Sequence, residues 1–272
     1  MDSLESTGLP TVAGALNCQR PCEWRQCLTT LDGIFVFQKI VPINNQAHAN
    51  KRVKEIADFA FAARTHIAYL TLQEFGRAAS TYPIVFLEDK AADGFRPVAL
   101  MGLTPDQNLF VDAAGKWQAS YIPAIIRRYP FTLTASDQDG QFVVCIDEGS
   151  NLVSDTDGAA LFDITGAPTQ LIDNVKRYLS ELHQMEQTTN QFCKFIASHN
   201  LFTPLGLRIQ DGGKTKEIAG CYVINEERLS KLSDELFLLI REKQYLSAIY
   251  AHLLSLGQTE RLVTLQKGRA AT

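Results

Sequence analysis

The chain is predicted to be an α+β protein, with a central, mainly antiparallel sheet on which long C-terminal helices pack. Three observations lead there. From Tyr82 to Phe131 the short apolar runs YPIVF, PVALMGL, NLFVDAAGKW and YIPAIIRRYPF are punctuated by Gly, Pro and Asp-bearing turns. That is the signature of strands close together in sequence. Leu171, Val175, Tyr178, Leu182, Met185, Thr189, Phe192 and Ile196 then recur at alternating steps of four and three, which draws one apolar face on a long helix. Beyond it, TPLGLRI and KEIAGCYVI flank DGGK as a hairpin.

Taken in order, residues 1–33 mix Gly, Pro, Ser, Cys and Arg without sustained periodicity and read as a poorly ordered extension. Residues 34–265 read as a single domain. It opens on IFVFQKIVPI, a β-branched and aromatic run that Pro42 ends or places at an edge. NNQAHANKRVK is expected to be a loop holding His48, and DFAFAART and HIAYLTL are short strand candidates. Thr71, with Glu74 three residues on, forms a capping-box pattern for a helix through LQEFGRAAS, whose Leu72, Phe75 and Ala79 should lie on the sheet. Pro83 stops that helix and hands over to the strand IVFLE.

PVALMGL is apolar almost throughout, which implies a strand covered on both faces. TPDQ and DAAG are tight connections, so PVALMGL, NLFVD and KWQAS are expected to form a three-stranded meander. Tyr121 to Arg128 reads as a short helix with Pro123 in its first turn, ended by Pro130. FTLTAS and QFVVCIDE should pair across DQDG, where Asp139-Gly140 is a strong hairpin signal. The polar stretch from Glu148 to Pro168 is the expected seam, and Thr169 follows it at the start of the long helix. That helix reads as core packing, with a partner coiled coil as the alternative. Last, Ser233 should cap one helix with Leu236, Leu239, Leu246, Ile249, Tyr250 and Leu253 as its buried stripe, ended by Gly257.

The chain is 272 residues long with a net charge of -4, which argues against a general nucleic-acid binder. No apolar run approaches the roughly 20 residues of a membrane helix. The first residues carry acids where a signal peptide needs positive charge, so the cytoplasm is the expected compartment. Cys145, Cys193 and Cys221 sit in apolar contexts and read as small core residues. Cys18, Cys22 and Cys27 match no common zinc spacing and read as incidental thiols, with a metal or labile disulfide as the alternative.

No arrangement of nucleophile and base, no metal-ligand spacing and no phosphate loop stands out, so no catalytic residue, metal or cofactor is assigned. The five histidines, His48, His66, His183, His199 and His252, share no ligand spacing. Asp106, Asn108 and Asp112 are accounted for by turn chemistry. Arg127-Arg128 is the most distinctive polar pair. Neighbours on a helix point about 100° apart, so one guanidinium can face inward while the other meets solvent. With Trp117 and Tyr121 the pair could line an anion pocket, since guanidinium groups take carboxylates and phosphates in a bidentate way. The alternative is structural, with one arginine paired to Asp147 or Glu148.

The runs YPIVF at 82–86, ALMGL at 99–103, NLFVD at 108–112, GKW at 115–117, YIPA at 121–124 and RRYPF at 127–131, with YAHLLSL at 250–256, resemble the SapC family of bacterial proteins. The likeness extends from about Phe37 to about Leu262, and residues 1–33 fall outside it. The resemblance implies a role associated with surface-layer (S-layer) protein systems and carries no catalytic assignment. His48 and His252 fall where the family pattern also tends to have histidine. Two functions are therefore in view. One is an accessory or interaction protein serving an envelope or surface-layer system through an unknown protein partner. The other is an enzyme or binding protein for a small anionic metabolite, using Trp117, Tyr121, Arg127 and Arg128. A deep pocket with converging Arg, Tyr and His would favour the second.

Overall fold

A computed structural model describes residues 37–90, 93–135, 142–211 and 214–270. The first half runs β1 (Ile40–Pro42), α1 (Asn45–His48), β2 (Arg52–Val53), β3 (Ile67–Tyr69), α2 (Phe75–Ala78), β4 (Ile84–Asp89), β5 (Gly94–Leu100), α3 (Ala124–Arg127) and β6 (Phe131–Ala135). The second half runs β7 (Phe142–Asp147), β8 (Val153–Ser154), β9 (Ala159–Ala160), α4 (Gln170–Ser198), β10 (Phe202–Asp211) and β11 (Lys214–Ile224). It closes with α5 (Glu226–Ser230), α6 (Asp234–Glu242), α7 (Leu246–Ser255) and α8 (Gln258–Ala270).

The largest sheet has the order β10-β11-β4-β5-β3, and all its pairings are antiparallel. Ile84 to Leu87 are all buried, as are Val98 to Leu100, so side chains on both faces of β4 and β5 leave water. That is the apolar run of the sequence in physical form. A smaller sheet, β1-β7-β6, contains the expected pairing of FTLTA with FVVCID. The turn with Asp139-Gly140 lies outside the described residues, as do the centre of DGGK and Cys18, Cys22 and Cys27.

The helix α4 spans 29 residues and starts after Thr169, whose hydroxyl makes no cap and donates instead to Ala160 O at 2.7 Å. Its one polar stripe member has a specific task. Thr189 Oγ1 donates to Met185 O at 2.7 Å and accepts from Leu72 N at 2.8 Å, which ties the helix to the turn after β3. The capping box at that turn forms as expected: Glu74 Oε2 accepts from Thr71 N at 2.8 Å.

Four local expectations need correction. DFAFAART is not a strand: Asp58 Oδ1 takes Ala60 N at 3.0 Å and starts a 3-10 turn at Ala60–Ala62. Phe59 and Phe61 from this segment pack on Trp117 and Tyr129. NNQAH is not a loop, because Asn44 caps a helical turn through Ala47 N at 2.8 Å and buries His48. The three-stranded meander does not form. Asp112 Oδ1 captures Ala114 N and Lys116 N, each at 2.9 Å, and leaves an isolated bridge, Val111 to Trp117. β5 pairs instead with β4 and β3.

The fourth correction is the C-terminal helix, which is two helices. Gln244 takes φ +60°, and Tyr245 N reaches back to Ile240 O at 3.0 Å, a helix-ending pattern that reorients the chain. The buried residues are then Ile240, Ala248, Ile249, His252 and Ser255, while Leu239 and Tyr250 face out.

The three cysteines among the described residues are buried free thiols, as read from their contexts. Burial pushes the Cys221 thiol up to about 12 and the Cys193 thiol higher still. Both are inert at neutral pH.

Candidate functional site

Trp117 and Tyr121 do come together, through the Tyr121 carbonyl, and Tyr121 in turn reaches a buried carboxylate. Glu74, fixed by its capping box, also accepts from Tyr121 OH and from Ala124 N, each at 2.7 Å. The second bond supplies an acceptor to the start of α3. Tyr121 O in turn accepts from Trp117 Nε1 at 3.1 Å and from Tyr82 OH. Tyr82 OH also accepts from Trp117 Nε1, at 3.1 Å. The network joins YPIVF, GKW and YIPA and accounts for the aromatic and polar density of that stretch. Burial first, then the Glu74 charge, pushes the Tyr121 hydroxyl far above its ordinary titration range.

The arginine pair splits as the helical step requires. Arg127 is exposed, donates from Nε to Ile122 O at 3.0 Å and lies 5.8 Å from the Tyr178 ring centroid. It borders a small cavity of about 260 Å³ with Arg77, Tyr121 and Glu181. Arg128 is half-buried, lies 5.8 Å from the Phe37 ring centroid and lines a cleft that Arg127 does not, while both arginines border a further cavity of about 440 Å³ with Tyr178 and Asn174. The structural alternative paired one arginine with Asp147 or Glu148. Asp147 accepts from Gln38 N at 3.0 Å, Lys39 N at 2.7 Å, Gly149 N at 3.1 Å and Tyr129 OH at 3.3 Å. Glu148 faces Lys39 Nζ at 2.7 Å and His48 Nε2 at 3.2 Å.

The cleft at Arg128 has a volume of about 570 Å³ and lies where β3, an edge of the large sheet, faces β6, an edge of the smaller one. Arg96 enters it from β5, Tyr69 from β3 and Glu186 from α4. Arg96 Nε is held by Asp89 Oδ2 at 2.6 Å. Burial raises the titration point of Glu186, and the charges of Arg128, His183 and Arg96 oppose that rise. Burial also pushes the Tyr69 hydroxyl far up, so it stays a neutral donor. Trp117 and Tyr121 do not line this cleft. Arg96 and Glu186 carry no motif, and β5 meets α4 only through the fold.

The two histidines singled out by resemblance have different surroundings. His252 is buried, its Nδ1 2.9 Å from Ile84 O, while Nε2 accepts from Ile224 N at 3.0 Å. Both ring nitrogens are thus used in holding β4 and β11 to α7. His48 is also buried, with Nδ1 3.0 Å from Asn44 O and Nε2 toward Glu148. Among the described residues no group of three His, Cys, Asp or Glu side chains could hold a metal ion.

A second surface feature lies at the C-terminal end. α6 exposes Phe237 (44%), Leu238 and Leu239, and α7 exposes Tyr250 and Leu254 (78%), which are one helical turn apart. Among the described residues no helix is long and apolar enough to cross a membrane.

The fold and the site together define an antiparallel α+β protein with an arginine-lined cleft between two sheet edges. The chain belongs to the SapC family, whose model matches residues 43–262. No curated protein and no solved structure matches it.

Proposed function

We propose that this chain is a binding protein for a small anionic molecule, taken up in the cleft between β3 and β6. The observation that carries the reading is the convergence of Arg96 and Arg128 on one cleft of about 570 Å³, with Tyr69 and Glu186 beside them. Ligand pockets fall at roughly 300–1,000 Å³. Two guanidinium groups in partly apolar walls attract an anion more strongly than the same charges in open water. Arg127 and Tyr121 border a separate, smaller cavity. Trp117 contributes by fixing the Tyr121 backbone. The test is thermal unfolding with acetate, phenylacetate and inorganic phosphate, each against sodium chloride of equal ionic strength. At least one anion should raise the midpoint, and Arg96→Gln or Arg128→Gln should remove the rise. No response to any of them would overturn the reading.

The exposed apolar residues of α6 and α7 favour a second, compatible role. In it the protein acts from the cytoplasmic side as an accessory to an envelope or surface-layer system, docking on a protein partner through that face. Leu238→Glu and Leu254→Glu should each abolish co-purification with envelope proteins from the native host while leaving the unfolding midpoint in place. Retained co-purification would sink this role.

A further inference from the structure

We infer that the molecule held in the cleft is a monocarboxylate with an apolar body, gripped by Arg96 and Arg128 and met by Glu186 as a neutral acid. The inference rests on the anion-binding reading above and narrows it. The cleft wall is mixed in a specific way. Phe37, Ile40, Ala68, Ile125 and Leu133 offer apolar surface, which a bare inorganic ion would leave unused. The buried hydroxyl residues Thr65 and Thr132 stand among them and suit a group with a few oxygen atoms.

The charge count limits the ligand further. Arg96 is already paired with the buried Asp89 at 2.6 Å and Glu186 stands in the same cleft, so a ligand with one negative charge fits better than a dianion. A planar carboxylate also matches the planar donor edge of a guanidinium.

Two carboxyl groups in one small cleft cannot both ionise cheaply, so one proton is shared between them. Glu186 is the group prepared to take it. The groups around it are Arg128 from the end of α3, Arg96 from β5, Tyr69 from β3, Glu74 from the turn before α2, and His183 on its own helix. His183 Nδ1 lies 3.8 Å from Glu186 Oε2. Burial and Glu74 favour the neutral form, while Arg128, Arg96 and any positive charge on His183 oppose it, and burial is the largest influence. A bound carboxylate adds a like charge and partly offsets the arginines. The proton comes from solvent and goes to the Glu186 carboxylate. The ligand stays ionised, and no covalent bond forms or breaks.

The experiment is calorimetric titration of the full chain with hexanoate and phenylacetate, with hexanamide, phenylacetamide and inorganic phosphate for comparison, between about pH 6 and 8. The acids should bind, with affinity rising toward lower pH by at most about tenfold per pH unit, the limit for uptake of one proton. The amides should bind about tenfold more weakly or worse. Glu186→Gln, which mimics the neutral acid, should bind the acids more tightly at pH 8 and flatten the pH profile. Arg128→Gln should lose about tenfold or more. If that variant fails to fold, Arg96→Gln supplies the same readout. Amides binding as well as acids, a weaker Glu186→Gln variant, or an unchanged pH profile would overturn the inference. Phosphate bound in preference to either acid would refute the monocarboxylate while leaving anion binding intact. Silence from every anion would remove both.

Discussion

The Nε2 atom of His252, on α7, accepts a hydrogen bond from the backbone N–H of Ile224 at the end of β11, 3.0 Å away. With Nε2 accepting, the ring proton sits on Nδ1 and is donated to Ile84 O at 2.9 Å. Ser255, one turn on, accepts from Ile84 N at 2.9 Å and donates to His252 O at 2.6 Å. One helix face therefore satisfies both backbone groups of Ile84 and fastens two neighbouring strands of the large sheet.

This strap makes stability depend on pH. Burial pushes the His252 ring down to about 4 from the ordinary 6.5. Because the folded value is the lower one, the neutral ring's contribution is whole above about pH 6.5 and is lost as pH falls toward 4. The full loss is about 3 kcal/mol. His252→Ala should cost a similar amount near neutral pH, since it strands Ile224 N–H and Ile84 C=O. Urea unfolding from pH 7 to 4 should show a steep drop in the native protein and a shallower one in the variant. Equal slopes would mean that other groups set the acid limb.

Glu74 is buried and receives four donors: Thr71 N, Thr71 Oγ1, Tyr121 OH and Ala124 N. Glu74→Gln replaces one acceptor oxygen with an N–H₂ group that confronts those donors, and should cost about 2–4 kcal/mol. Glu74→Ala should cost at least as much. The check is the denaturant midpoint of each variant. A change below about 0.5 kcal/mol, the size of an ordinary surface effect, would remove Glu74 from the centre of this network.

Thr189 tests whether a polar residue in an apolar stripe has a purpose. Thr189→Val keeps the shape and deletes the acceptor of Leu72 N, so a buried amide loses its partner at a cost of about 1–3 kcal/mol. Thr189→Ser retains the hydroxyl and should cost less. Thermal midpoints that rank native, then Ser, then Val bear this out, while a Val variant equal to native contradicts it.

Gln244 gives a sign test for the break between α6 and α7. At φ +60° a glycine relieves strain, so Gln244→Gly should be neutral or stabilising by up to about 1 kcal/mol. Inside one continuous helix the same change would cost about 1 kcal/mol. Denaturant midpoints decide between the two.

The sequence alone determined what short-range forces encode. The capping box of Thr71 and Glu74, the 29-residue α4 with its stripe, the short α3 after Pro123 and the pairing of FTLTA with FVVCID all follow from patterns a few residues long. Backbone dihedral limits, side-chain caps and apolar periodicity act at that range. Where those forces compete, the local reading failed. Asp112 drew the amides of Ala114 and Lys116 into a turn that a strand would have used, and Gln244 ended a helix that its apolar spacing would have continued. The tertiary structure alone decided which distant residues share a cleft. Arg96 and Glu186 meet because the strand order β10-β11-β4-β5-β3 brings β5 against α4, and no local signal records that order. Arg127 and Arg128 were legible as a pair, but only the packing of α3 decides that they share one cavity and that Arg128 alone also reaches the cleft with Arg96. Topology is set by burial summed over the whole chain, so the residues that line a site between sheets are chosen by the fold rather than by their neighbours in sequence.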